Sequence, residues 1–296
     1  MEVLYQNSPF VPKSIKKSSL AKRNIQKFYA NKLAVAGLLI VSAFILLTIL
    51  APLLNTHDPS LVSPADRFKP ISAEHWLGTD SGGRDVVARL LYGGRVSIFV
   101  GMLSAMGSAL LGVILGCSAG YLGGKVDTVV VFLCEVFQSF PQTIIVLIFI
   151  ALTGRGLNNL IIIFCFTGWM SCARLVRGKV LSLKEEPFVE RCKANGVSVL
   201  SIMFRHLLPN TLGPITVSVT MGTAGFVLQE AALSFLGLGV ASSIPTWGNV
   251  INAARSFDIF QNYPVLWIAP GVTISLFVLG INFFGDGLRD VFDATQ

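Results

Sequence analysis

The chain has 296 residues, of which 53% are hydrophobic and 13% charged, with a mean hydropathy of +0.68. Soluble domains carry about 25% charged residues, so this composition excludes an ordinary soluble enzyme, and its hydrophobicity excludes a disordered chain. The net charge of +7 would suit a nucleic-acid binder only if the basic residues decorated a soluble domain.

In chain order, residues 1–32 form a basic N-terminal segment with Lys13, Lys16, Lys17, Lys22, Arg23, Lys27 and Lys32. The 24 uncharged residues between Lys32 and His57 exceed the roughly 7–15 apolar residues of a cleaved signal peptide, and predict a retained membrane span. Further charge-free runs extend over Val96–Gly124, Val136–Gly154, Gly156–Ala173, Leu207–Gln229 and Ile259–Gly285. About 20 apolar residues suffice to cross a hydrocarbon core of about 30 Å, so all six runs qualify. The predicted fold is an all-α membrane protein with six transmembrane helices. They lie near 33–54, 96–121, 128–151, 157–176, 208–234 and 264–285, within one membrane domain over 33–296. The uncharged stretch Ala231–Ala254 contains Ser242, Ser243, Pro245, Thr246 and Asn249; it reads as the end of the fifth span and an external loop. Gly112, Gly116, Pro141, Gly222, Gly225 and Pro270 inside the spans fit a bundle of closely packed helices.

Orientation follows from the basic residues. Sixteen fall in the N-terminal segment, the 177–207 region and the adjoining ends of spans, whereas seven fall on the opposite side. The five of those seven within 55–95 are matched by five acids. The positive-inside rule predicts cytoplasmic termini, an external loop at 55–95 and a cytoplasmic loop at 177–207. Topology accounts for the net charge, and no nucleic-acid partner is called for. The five cysteines lie in spans or on the cytoplasmic side, so neither a structural disulfide nor a zinc site is expected.

Little in the chain suggests catalysis. The nearest approach to a phosphate loop, Gly124-Lys125, has Ala119 for the first glycine and Val126 for the hydroxyl residue, losing the turn and the magnesium ligand. The three histidines, His57, His75 and His206, are far apart in sequence and assigned to different sides or loops. No catalytic residue, bound cofactor or metal ligand is expected. Intramembrane acids mark ion-coupled transporters; the candidates are Asp127, Glu135 and Glu230, the last between apolar stretches. Glu230 is expected near the translocation path, in a structural or gating role.

The stretch from Glu185 to Gly196 is the most informative. Pro187 suits the first position of a helix, and Glu190 complements its dipole. Phe188, Val189 and Cys192 share an apolar face, and Gly196 supplies a stop. Beyond it Leu200, Met203, Phe204, Leu207 and Leu208 recur at helical spacing until Pro209-Asn210. Two short helices hinged at a glycine, with an apolar face, suit a partner's groove.

Glu190, Gly196, Leu208, Pro209 and the His206-x-x-Pro209-Asn210 arrangement resemble the coupling loop of bacterial ABC-importer permeases, with Arg191 and Cys192 in place of two alanines. His75-Trp76-Leu77-Gly78-Thr79-Asp80, Gly83-Arg84-Asp85 and Tyr92-Gly93-x-Arg95 are similar to the external signature of the C-type permeases of dipeptide, oligopeptide and nickel importers. Glu230 to Gly239, Trp247-Gly248 and Gly285 to Asp290 resemble later segments of the same family, with Ala294 where a proline is common.

The resemblance implies a type I importer fold in the bacterial cytoplasmic membrane. It implies pairing with a B-type permease, two ATPase subunits that carry ATP and magnesium, and an external solute-binding protein. It makes Phe188, Glu190, Ala194, Gly196, His206, Pro209 and Asn210 the expected ATPase contact. His75, Trp76, Gly78, Asp80, Arg84 and Asp85 face the binding protein or cap the bundle. The expected cargo is a peptide; a nickel or other metal chelate and glutathione are alternatives, and an ion-coupled transporter or channel is the competing class.

Overall fold

The computed structural model describes residues 25–293. Among the described residues the regular structure is helical, apart from a single isolated bridge between Thr79 and Asp85. The long helices are α1 (Lys32–Ile49), α2 (Val86–Leu122), α3 (Gly124–Gln138), α4 (Gln142–Thr153) and α5 (Leu157–Leu183). The short α6 (Pro187–Ala194) follows, then α7 (Leu212–Phe235), the short α8 (Trp247–Asn252) and α9 (Phe257–Asn262), and α10 (Val265–Asp293).

α2 organises the bundle. Its buried positions include Gly101, Ser104, Ala105, Ser108, Ala109, Gly112, Gly116, Ala119 and Gly120, small residues at helical spacing that let backbones approach. α5 lies along that stripe: a Cβ on Gly112 would sit 2.7 Å from Cys172 Cβ and 2.8 Å from the Trp169 carbonyl. α7 packs on another part of α2 and on α10, and α10 packs on α1. Side chains such as Leu39, Leu46, Leu110, Leu152 and Ile162 point outward and stay exposed, as apolar lipid-facing positions do.

α2 begins ten residues before the span expected at 96–121. The Asp85 carboxylate accepts the Ala88 N–H at 2.7 Å and so caps it. At about 1.5 Å per residue its 37 residues extend about 55 Å, well beyond a hydrocarbon core. The first turns therefore protrude, and the loop is confined to residues before 86. Arg95 uses that position to donate to the Thr48 and Ile49 carbonyls at 2.6 and 2.8 Å, satisfying the open C-terminal end of α1.

The third span departs from a straight 128–151 helix. α3 and α4 meet at 88° across Ser139, Phe140 and Pro141, where a proline without an N–H starts the second helix. Five helices are long and apolar enough to cross a membrane, and the bent pair makes six if it is one span. Local contacts show that it is. Asp127, at the start of α3, pairs with Arg177 near the end of α5, while α4 ends beside the start of α5 at Thr153 and Leu157. α3 and α4 together must therefore traverse the same thickness as α5. The Asn31 amide donates to Asp290 at 3.0 Å, so α1 begins on the face where α10 ends, as an even number of crossings requires.

Candidate functional site

Four groups of residues stand out, and the sequence anticipates three of them. The first follows α5, which runs to Leu183 and shortens the loop expected at 177–207. α6 has Pro187 in its first turn, Glu190 near its N-terminus, and Arg191 and Lys193 in its last turn. It ends in a Schellman motif: Val197 N–H donates to the Cys192 carbonyl and Gly196 N–H to that of Lys193, both at 3.0 Å. Gly196 adopts φ +69°, and nothing lies within 4 Å of a Cβ placed there. Backbone conformation, not space, calls for glycine.

The apolar face of α6 is not free for a partner. Val189 is fully buried, and Phe188 and Cys192 pack with Val180, Met203 and Leu207 of this chain. The face outward holds Glu190, Ala194 and Gly196, continued by Val199, Leu200 and Phe204. Pro209 does not end the second helix. A π-helical turn over Ile202–Leu207 and a 3-10 turn over Leu208–Thr211 absorb it, and the helix runs from Val199 to Phe235. The Asn210 amide donates to the His206 carbonyl at 2.7 Å. His206, Pro209 and Asn210 thus lie on an extension of the fifth span, while Phe188, Glu190, Ala194 and Gly196 lie on α6 and the turn that ends it.

The second group is the 55–85 loop. Asp80 Oδ1 accepts the N–H groups of Gly82 and Arg84 at 2.7 and 3.1 Å, and Oδ2 accepts Arg84 Nε at 2.9 Å. His75 Nδ1 lies 2.9 Å from Asp85 Oδ2, whose other oxygen accepts the Asn55 amide at 3.0 Å. His57 meets this group after all, its ring 5.0 Å from that of His75. His57, His75 and Asp85 bring one ligand atom each within 4.8 Å, but their hydrogen bonds already build the cap of α2. Gly78 takes φ +72° against the Lys69 carbonyl. Lys69, then the Ser63 hydroxyl, hold the nearby Asp66 carboxyl below its usual range. Trp76 remains 67% exposed at the tip.

Glu230 is the third. It is fully buried, and its carboxylate accepts the Ser97 hydroxyl at 2.9 Å and the Ser234 hydroxyl at 2.7 Å. Ser97 Oγ also accepts the Trp247 N–H at 3.1 Å. The carboxylate therefore joins α7 and α2 to α8. α8 itself, expected in an external loop, is packed into the bundle with Trp247 fully buried.

The fourth is a cavity of 1160 Å³ beside α5 and α7, lined in part by Ser171, Ser218, Met221, Gly225 and Gln229. Glu230 is not among its lining residues. A Cβ on Gly225 would meet nothing within 4 Å among the described residues, so this glycine packs on no described residue of the chain. The signal in the sequence was Ser218, Gly222, Gly225 and Gln229 recurring on one helical face.

A family profile described as "Binding-protein-dependent transport system inner membrane component" matches residues 112–295, and one described as "N-terminal TM domain of oligopeptide transport permease C" matches residues 19–70. The dipeptide transport system permease protein DppC of Alkalihalophilus pseudofirmus is 41% identical over 263 residues, covering 89% of this chain and 86% of that protein. The oligopeptide transport system permease protein OppC of Bacillus subtilis is 36% identical over 280 residues, covering 95% and 91%. The dipeptide permease DppC of Bacillus subtilis is 37% identical over 296 residues, covering 98% and 91%. With a six-crossing helical bundle, a capped loop at one face and a helical extension at the other, the chain belongs to the inner membrane components of binding-protein-dependent transport systems.

Proposed function

We propose that this chain is the permease subunit of an ATP-driven peptide importer, forming half of a translocation path with a second, B-type permease. The open cavity beside α5 and α7 carries the reading. It has hydroxyl and amide groups among apolar side chains, and glycine at a position where no described residue of this chain fills the space. Half a pore has this form. The relatives named for dipeptide and oligopeptide transport support peptides as the cargo.

The chain supplies no catalytic chemistry in this reading. Two ATPase subunits bind ATP and magnesium and press on the outward face of α6 and the helix after it. That contact holds Phe188 at its edge, with Glu190, Ala194, Gly196, His206, Pro209 and Asn210. Both termini are cytoplasmic, and the loop with His75, Trp76, Gly78, Asp80, Arg84 and Asp85 faces the binding protein. Glu230 acts beside the path as a helix tie, holding the α7 wall in register. The test is peptide uptake and peptide-stimulated ATP hydrolysis in proteoliposomes holding both permeases, the ATPases and the binding protein. Uptake that needs ATP and survives a protonophore is expected; uptake that collapses with the proton gradient at constant ATP would replace this reading with ion coupling.

A further inference from the structure

Resting on the reading that the 55–85 loop meets the binding protein, we propose that Arg84, Arg89 and Arg255 form a socket for a carboxylate that the docking binding protein presents. Arg89 lies on the first turn of α2 and is 1% exposed, yet its Nε and Nη1 have no hydrogen-bond partner among the described residues. The nearest carboxylate oxygen, Asp80 Oδ2, is 3.7 Å from Nη1, beyond hydrogen-bond reach. Asp80 is already committed to Arg84 and to two backbone N–H groups. A guanidinium next to a helix N-terminus is also opposed by the helix dipole. A buried cation left in this state is costly, and an arriving anion would relieve it.

The space for that anion exists. Arg89 lines a cavity of 340 Å³ together with Arg84, Arg255, Ser81, Ser242 and Ser256. That volume gives room for a carboxylate-bearing side chain rather than a lone ion. Three arginines and no acidic residue are among its lining residues, and Asp80 pairs with two of the three, so the cavity is electropositive. It shares no lining residue with the 1160 Å³ cavity. A solute crossing the membrane would not pass through it, which favours a fixed partner. On a protein partner the anion is the side chain of an Asp or Glu, and Arg255, exposed at the rim, would meet it first.

The test measures docking of a fluorescently labelled, peptide-loaded binding protein on the complete transporter in nanodiscs. Arg255→Glu, at an exposed position, and Arg89→Met should each weaken docking by about 30-fold or more. Without binding protein, Arg89→Met should not lower the heat stability of the solubilised complex, because it removes buried guanidinium nitrogens that lack hydrogen-bond partners. A structural arginine would give the opposite result, so a lowered unfolding temperature overturns the socket. Unchanged docking in both variants also overturns it, while docking to the wild type keeps the transporter reading intact. Arg89-dependent binding of a radiolabelled dipeptide to the transporter without binding protein would assign the cavity to the cargo and overturn the proposal. If the wild-type complex fails to dock the binding protein at all, the transporter reading itself fails.

Discussion

Ser97 donates its hydroxyl to Glu230 across 2.9 Å, joining two helices at a point that no solvent reaches. The same oxygen takes the Trp247 N–H, so one side-chain pair fixes three segments. A buried carboxylate is expensive unless its oxygens are satisfied, and here two serine hydroxyls do so. Glu230→Ala would strand both hydroxyls and open a void, a loss of about 2 kcal/mol or more. Glu230→Gln keeps an acceptor for one serine and should cost less. The check is thermal unfolding of the purified complex, with uptake measured beside it. Both variants should keep uptake independent of a protonophore, and proton-dependent uptake in the parent would contradict the structural role.

Gly196 separates a conformational requirement from a steric one. Its φ of +69° belongs to the left-handed region, while the space around it is open. Gly196→Val therefore pays for backbone strain of about 1–2 kcal/mol, raised further by β-branching, and should unseat the turn after α6. Gly196→Asn, which tolerates this region, should keep the turn. Peptide-stimulated ATP hydrolysis should fall strongly in the first and weakly in the second, with membrane insertion equal in both. Equal loss in both would mean that the bare surface at Gly196 is what the partner needs.

The long charge-free runs made the spans legible, because a hydrocarbon core imposes length and apolarity on every crossing helix. The turn at Gly196 was legible for a similar reason, since few residues satisfy its dihedral. Other features depend on residues that only tertiary structure brings together. Val189 and Met203 meet through the turn between them, so the apolar face of α6 looked free in the sequence but is covered by its own chain. Pro141 read as one tolerated proline, yet it marks an 88° bend. Gly112 and Gly225 are indistinguishable as letters; one is pressed against α5 and the other borders open space. Arg89 and Arg255 share a cavity although most of the chain lies between them.

That last contrast between glycines can be measured. Gly225→Leu adds a side chain where nothing stands within 4 Å, and replaces glycine in a helix interior, a gain of roughly 0.8 kcal/mol. The variant should insert and fold at least as well as the parent, yet lose peptide uptake or assembly with the second permease. Gly112→Leu would drive its side chain into Cys172 and the Trp169 carbonyl, and should lower expression and unfolding temperature. Normal uptake with Gly225→Leu would remove this cavity from the path.

Topology is the remaining test, and the structure sharpens it. The Asn31–Asp290 bond keeps the start of α1 and the end of α10 on one face, and the basic residues divide 16 to 7 in favour of that face. The positive-inside rule predicts that this face is cytoplasmic, with the loop before α2 outside and the end of α5 inside. Ala73 and Ser182 are both exposed, so single cysteines there should leave the fold undisturbed. In a variant whose five native cysteines are replaced, an impermeant thiol reagent added to intact cells should label Ala73→Cys and spare Ser182→Cys. Permeabilising the cells should expose the second site. Labelling of both from outside would overturn the crossing count, because α5 could then not return the chain to the cytoplasm. Labelling of Ser182→Cys alone would keep six crossings and invert the orientation, placing the α6 extension where no ATPase could reach it.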